Sequence, residues 1–217
     1  MKQTLFILIV VVCLTACKRN GYETGDGELS YLRADFVLLY TTGAKQVMTA
    51  ITDDGDTLRF SPPMQCAWAD KADTLFRALL YYKNFPNGRQ PVTAVAVPVL
   101  QPLAHVSNMV TDPVTFESAW IGSNGKYLNI GIALMTASSD DNTEKQSVGM
   151  ALTKVEKHAN AHTTYHLTLL HGQNSVPQYY STRAYLSVPL SSYQHGDTVH
   201  LSINTYNGVV KKEFAIN

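Results

Sequence analysis

The chain has 217 residues, with 17 Lys and Arg against 17 Asp and Glu, and 45% of the residues are hydrophobic. This composition excludes an intrinsically disordered chain, which has few apolar residues and a large net charge. The net charge of zero also argues against a nucleic-acid partner, because phosphates are bound by clustered Lys and Arg, and no basic run is longer than the two residues of Lys18-Arg19.

Residues 1–16 have the pattern of a bacterial lipoprotein signal peptide. Lys2 precedes an apolar run at 5–12 that is too short to span a bilayer, which needs about 20 residues per helix. Leu14-Thr15-Ala16-Cys17 resembles a lipobox, in which cleavage occurs before an acylated cysteine. We therefore predict Cys17 as the lipid-attachment residue. The alternative is an ordinary cysteine after an ordinary secretory signal.

The predicted anchor sets the expected location and the cysteine chemistry. Residues 17–27 are polar and contain glycine, as expected for a flexible tether. Because Cys13 leaves with the signal and Cys17 carries lipid, Cys66 is the one cysteine left in the folded part, and no intramolecular disulfide can form. With no His or Lys beside it, Cys66 is expected to be a buried structural thiol.

The rest of the chain alternates with the period of β-strands. Leu32, Ala34, Phe36, Leu38 and Tyr40 are predicted to face a core, and Asp73–Lys83 fits either a helix or a strand, of which its aromatic residues favour the strand. Dipeptides typical of tight turns separate the segments. Further predicted strands contain 92–99, 128–134, 165–169 and 199–203, and the turn dipeptides are Asp54-Gly55, Asn87-Gly88, Asn124-Gly125 and Asn207-Gly208.

These strands form two groups of similar size. Pro98, Pro102 and the loop at 107–113 lie between them. We therefore predict an all-β protein with two domains, at residues 28–112 and 113–217, each large enough for a small barrel or sandwich.

Four motifs resemble the NigD-like lipoproteins of Gram-negative anaerobes. The resemblance implies an N-terminal OB-like β-barrel followed by a C-terminal β-sandwich, a position on the outer membrane, and a role linked to bacteriocin immunity. It brings no catalytic or ligand-binding residues. The motifs are Gly25-Asp26-Gly27-Glu28-Leu29-Ser30-Tyr31-Leu32-Arg33-Ala34-Asp35-Phe36, Ile51-Thr52-Asp53-Asp54-Gly55-Asp56, Asp73-Thr74-Leu75-Phe76-Arg77-Ala78-Leu79-Leu80-Tyr81-Tyr82, and Ser118-Ala119-Trp120-Ile121-Gly122 with Lys126-Tyr127-Leu128-Asn129.

His158, His162 and His166 are candidate metal ligands. Their spacing would stack imidazoles on one face of a helix, but the segment alternates as a strand, so a hairpin would have to gather them. The favoured interpretation instead places His166 and His200 on the solvated face of their strands.

Two other patterns are interpreted as turns. Ser123-Asn124-Gly125-Lys126 matches the S-x-x-K of penicillin-recognising enzymes, but the companion motifs are missing and Asn-Gly indicates a hairpin. Asp53, Asp54 and Asp56 lack the distal Glu and the alternating oxygen ligands of a calcium loop. No cofactor is predicted.

These observations leave three functional hypotheses. The first is a lipid-anchored, non-enzymatic module that binds a protein or peptide, similar to a bacteriocin-immunity factor, with the tyrosines at 31, 81, 82, 179 and 180 able to stack on a ligand if exposed. The second is an envelope hydrolase or metal-binding protein that uses His158, His162 and His166. The third is an accessory subunit of an outer-membrane assembly. Whether the protein faces the periplasm or the cell surface stays open, although Lys18-Arg19-Asn20 lacks an acidic export signal, which favours the periplasm.

Overall fold

The computed structural model describes residues 32–85, 88–137, 144–159 and 161–217. The described residues form thirteen β-strands and no helix, so the predicted all-β class is confirmed. No helix in this part of the chain is long and apolar enough to cross a membrane. The predicted signal peptide, Cys17 and the tether lie outside the described residues.

The first five strands form an antiparallel sheet in the order β3-β2-β1-β4-β5. The edge strands β3 and β5 approach each other, so the sheet curls into an OB-like barrel. The ambiguous segment of the sequence is strand β4, as predicted. The strands are β1 (Leu32–Gly43), β2 (Gln46–Thr52), β3 (Thr57–Gln65), β4 (Leu75–Phe85) and β5 (Gly88–Ala96).

The barrel core corrects one prediction. Val37, Leu39 and Thr41 of β1 are buried inside the barrel, whereas Leu32 and Tyr40 of the predicted core face are exposed. The predicted face is the outer face of the barrel, and the sequence looks apolar there because the second domain covers part of it. Phe36 makes edge-to-face contacts with Trp120 and Tyr185, each with ring centroids 5.3 Å apart.

The later strands form a two-layer sandwich. One layer has the order β13-β12-β10-β9-β6 and the other has the order β11-β8-β7. Pairing is antiparallel except between β10 and β12 and between β6 and β9. The strands are β6 (Pro102–Leu103), β7 (Thr115–Ile121), β8 (Tyr127–Thr136), β9 (Ser147–Lys157), β10 (Thr163–Gly172), β11 (Tyr180–Pro189), β12 (Thr198–Thr205) and β13 (Gly208–Ala215).

The alternation predicted in the sandwich is confirmed on the core side. Leu128, Ile130 and Ile132 of β8 are buried in the core between the layers together with the apolar residues of 199–203. Asn129 on the opposite face of β8 is also fully buried, because the barrel packs there. The sheet of the barrel ends at Ala96, and β6 at Pro102–Leu103 already pairs with β9. The division of the chain between residues 112 and 113 stays a prediction.

Candidate functional site

The most concentrated polar chemistry of the described chain lies where the barrel meets the sandwich. We call Asp53, Arg77, Asn129 and Ser187 the junction cluster. Asp53 follows β2 and Arg77 lies on β4, while Asn129 and Ser187 belong to β8 and β11. All four residues are buried.

Arg77 binds all three of the other cluster residues. Its Nη1 and Nη2 donate to Oδ1 and Oδ2 of Asp53, both at 2.6 Å, which is the bidentate geometry that suits a guanidinium and a carboxylate. Nη2 also donates to Asn129 Oδ1 at 2.9 Å, and Nε donates to Ser187 Oγ at 3.2 Å. The carbon at the centre of the guanidinium lies 4.3 Å from the ring centroid of Tyr127, a cation–π contact.

The remaining polar atoms of the cluster are paired with one another. Asn129 Nδ2 donates to Asp53 Oδ2 at 2.9 Å, and Ser187 Oγ donates to Asn129 Oδ1 at 2.7 Å. A buried polar network of this kind is stabilising only when its members are satisfied, and this one is. Since the serine proton is directed at an amide oxygen and not at a base, the cluster joins the domains and does not activate a nucleophile.

Close backbone approach completes the junction. The main-chain N–H of Asn124 donates to Asp53 O at 2.7 Å. A Cβ on Gly122 would lie 2.5 Å from Asp53 Oδ2, so only glycine fits beside the carboxylate. Ser123 Oγ donates to Asp54 Oδ1 at 2.5 Å, which places the Ser-Asn-Gly-Lys segment in the predicted turn. Its serine therefore binds the barrel.

The sequence interpretation assigned Asp53 to a turn, which the structure confirms, but it missed the buried contacts of the Asp53 side chain. Two signals were present. Arg77 is the one charged residue in the otherwise apolar run 75–82, and Asn129 interrupts the apolar run 128–134. All four family-like motifs also supply residues to this one place, through Phe36, Asp53, Arg77 and the segment around Gly122 and Asn129.

The three candidate metal ligands do not come together. His158 and His162 lie in the turn between β9 and β10, where the His158 N–H donates to His162 O at 2.9 Å. His166 follows His162 by four residues of extended chain, so the Cα atoms of the two residues are about 13 Å apart at roughly 3.3 Å per residue. Within the described ranges, no group of three His, Cys, Asp or Glu side chains is placed to hold a metal ion.

Each of these imidazoles has its own neighbour. His158 Nε2 lies 2.8 Å from Thr164 Oγ1, and the ring of His162 packs against Gly196. His166 Nε2 lies 3.1 Å from Glu156 Oε2. Hydrogen bonds from Lys154 and His166 lower the pKa of Glu156 to about 2.

The other two histidines of this region differ in exposure. His200 is half-buried, with its Nε2 3.2 Å from Glu213 Oε2 and its ring edge-to-face with that of His166. His171 is buried at the end of β10, where its Nδ1 lies 3.1 Å from the carbonyl oxygen of Asp112. Both positions follow from the sheet packing and suggest no metal chemistry.

Cys66 is buried in the barrel core, and burial raises the pKa of its thiol. A raised pKa keeps the thiol protonated, and a protonated buried thiol is a poor nucleophile. The predicted structural role of this cysteine is consistent with that environment.

The tyrosines proposed for stacking divide into two sets. Tyr82 is buried in the barrel and donates to Asp35 Oδ2 at 2.6 Å, whereas Tyr179 is 80% exposed and Tyr180 is 48% exposed. Tyr206 is exposed close to them, with its hydroxyl 3.5 Å from Gln178 Oε1. We call Tyr179, Tyr180 and Tyr206 the aromatic end. Tyr31 lies outside the described residues.

A family model described as NigD-like C-terminal beta sandwich domain matches residues 97–216, more than half of the chain. The chain belongs to the NigD-like family. The predicted family is therefore confirmed. The matched part of this NigD-like chain contains the whole sandwich, including the junction residues Asn129 and Ser187 and the aromatic end.

Solved structures share the NigD-like fold over most of the chain. A NigD-like immunity protein from Bacteroides caccae has a TM-score of 0.65 at 21% identity, covering 85% of this chain and 97% of its own. A protein from Parabacteroides distasonis, provisionally named toxin-related, has a TM-score of 0.62 at 18% identity, with coverage of 86% and 93%. A protein from Bacteroides fragilis, provisionally named a lipoprotein, has a TM-score of 0.53 at 12% identity, with coverage of 84% and 96%. A comparison with curated protein sequences gave no match.

Proposed function

We propose that this NigD-like protein is a lipid-anchored, non-enzymatic binding module of the Gram-negative cell envelope with a role of the bacteriocin-immunity type. The observation that carries the proposal is the contrast between the buried, fully paired polar side chains of the junction cluster and the exposed side chains of the aromatic end. The buried charged and amide groups that resemble a catalytic cluster are fully occupied in joining two domains, while the exposed end of the sandwich offers aromatic side chains and strand backbone.

The names of the relatives support the same role. One solved structure with this fold is called an immunity protein and another is provisionally called a lipoprotein. The lipobox-like Leu14–Cys17 segment supports anchoring by acyl chains on Cys17, and we place the anchor in the outer membrane. A tether of this length raises the local concentration of a modest binder near the membrane, to the millimolar range for short flexible linkers.

We further propose that the partner is a protein or a peptide. The net charge of zero gives no electrostatic attraction for nucleic acid. The alternative of an envelope hydrolase or metal-binding protein that uses His158, His162 and His166 loses its support, because the described structure does not bring these residues together.

The role is tested by deleting the gene and exposing the strain to bacteriocins of competing strains. We expect the deletion to increase sensitivity, and the wild-type gene to restore resistance. A Cys17→Ser variant, which cannot be acylated, is expected to restore it poorly. Unchanged sensitivity of the deletion strain to every bacteriocin tested would contradict the immunity role.

The anchor has its own test. Mass spectrometry of the N-terminal peptide from native cells is expected to show Cys17 as the first residue, with acyl chains attached, in the outer-membrane fraction. An unmodified Cys17 in the soluble fraction would overturn the location without affecting the fold.

A further inference from the structure

The edges of the sandwich sheets differ in how they are protected against pairing with another strand. Natural edge strands are protected by bulges, charged side chains, proline or a covering segment. Strand β7 has a register shift between Phe116 and Ser118. The pairing of β9 with β10 is also shifted, between His166 and Leu167 of β10, and the short strand β6 covers part of the other edge of β9. Strand β13 presents the charged side chains of residues 211–213.

Strand β11 lacks these protections over its first residues. Its pairing with β8 is regular from Tyr180 to Pro189. Residues 180–183 are all exposed. The one charge among them, on Arg183, is turned across the sheet to Glu117 of β7, with Nε 2.6 Å from Oε2. The edge therefore presents a regular, largely uncharged backbone.

The chain itself shows that this edge accepts a strand. Near the other end of β11, the Ser187 N–H donates to Pro98 O at 2.9 Å, and the Leu100 N–H donates to Ser187 O at 2.8 Å. Val99 thereby forms a parallel bridge to Ser187. Because backbone groups alternate in direction along a strand, those of Arg183 and Ser181 point outward like those of Ser187. No described residue pairs with the outward groups of Arg183 and Ser181.

The open part of the edge ends at the aromatic end. Tyr179 and Tyr180 lie directly at the start of β11, and Tyr206 is nearby. Tyrosine supplies a large, rigid apolar surface at low entropic cost and is enriched among residues that dominate binding energy. An extended peptide on the edge would therefore find backbone partners and an aromatic surface together.

We propose that the outer edge of β11 from Tyr180 to Arg183 binds an extended segment of a partner protein, in line with the docked residues 98–100. Backbone hydrogen bonds to Ser181 and Arg183 hold the segment, and an apolar side chain of the segment packs on Tyr179 and Tyr180. The inference rests on the proposed binding role and names its surface. Four residues of edge bury far less than the roughly 1,000 Å² of a stable interface, so the contact is a weak one made by a short segment, and a second copy of the chain is an outcome of the test below.

The test uses the full-length protein and a display library of random dodecapeptides as the probe. Ser181→Pro removes an outward N–H and is tolerated where that group faces solvent. Ser181→Ala is the matched control, because it changes the side chain and keeps the N–H. We expect selected peptides to bind Ser181→Pro at least tenfold more weakly, and Ser181→Ala within twofold of the wild type, by fluorescence polarisation.

A second variant tests the same surface without introducing a proline into the strand. Tyr180→Ala leaves every backbone group in place and is expected to weaken the same peptides about tenfold, while thermal melting shows that both variants are folded. Selected peptides that bind the wild type and all variants equally would overturn the proposed edge and leave the binding role standing. Failure to select any peptide would also overturn it, and so would a wild-type dimer in light scattering that Ser181→Pro abolishes. The bacteriocin assay of the deletion strain decides the binding role separately.

Discussion

The junction cluster and the aromatic end use opposite kinds of chemistry. At the junction, a charge pair, an amide and a hydroxyl are buried and paired with one another. At the aromatic end, uncharged tyrosines are exposed beside strand backbone that pairs with none of the described residues. The comparison shows that residues with catalytic chemistry in other proteins hold two domains together here, while the surface proposed to bind a partner carries no charge cluster.

The largest expected effect comes from breaking the junction. Arg77→Met leaves the Asp53 carboxylate buried without its cation, and we expect a loss of about 3–5 kcal/mol in the free energy of unfolding, measured by urea denaturation. Arg183→Met is the matched control, because the ion pair of Arg183 with Glu117 is exposed. It is expected to cost far less, because solvent screens an exposed ion pair. Equal losses in the two variants would mean that the junction contributes no more than a surface ion pair.

A smaller effect is expected from crowding the junction. Gly122→Ala places a Cβ 2.5 Å from Asp53 Oδ2 and 2.9 Å from its Cγ, and Asp53 cannot move without leaving Arg77. We expect a loss of about 1–3 kcal/mol in urea denaturation. At Gly149 a new Cβ would meet only the Leu170 side chain, at 3.6 Å, so Gly149→Ala is the control and should be neutral or slightly stabilising. A neutral Gly122→Ala would contradict the close approach.

The smallest expected effect is on the pH dependence of stability, through two tyrosines that are buried or partly buried. Burial, followed by the hydrogen bond to Asp35, raises the pKa of Tyr82 to about 12, and burial also raises the pKa of Tyr193 to about 12. A raised folded-state pKa means that the stability contributed by these groups is present below pH 10 and is lost as the pH rises toward 12. Tyrosinate absorbance should show a late-titrating step to which Tyr82 contributes, and Tyr82→Phe should reduce the amplitude of that step. An unchanged late step in Tyr82→Phe would contradict the buried position of Tyr82.

Much of the fold follows from the sequence because strands with one buried face alternate visibly. The strands around Ile130, Leu167 and Leu201 are predicted correctly, and so is β4, where a helix also fitted the pattern. Strand β1 shows the limit. Its apolar residues at Phe36 and Leu38 mark the outer face of the barrel, and periodicity does not distinguish a face covered by a second domain from a face that lines a core.

The site was less predictable because its members are distant in sequence. Asp53 and Arg77 are 24 residues apart, and Arg77 and Ser187 are 110 residues apart, so local spacing indicates nothing about their contact. The histidines show the converse case. Regular spacing at His158, His162 and His166 also allowed a metal cluster, and the strand alternation that argued against this cluster agrees with the structure. The exposure of Tyr179 depends on where β11 begins, which the sequence does not mark.

We expect the junction to make the barrel and the sandwich one cooperative unit, so that the proposed binding edge is presented on a rigid body. The two tryptophans report on the two regions, with Trp68 packed in the barrel and Trp120 at the junction on β7. The direct measurement is urea denaturation followed by fluorescence in Trp68→Phe and Trp120→Phe, each of which keeps one reporter. We predict coincident midpoints for the two reporters, and separate midpoints once Arg77→Met is added. Separate midpoints with Arg77 in place would contradict the claim.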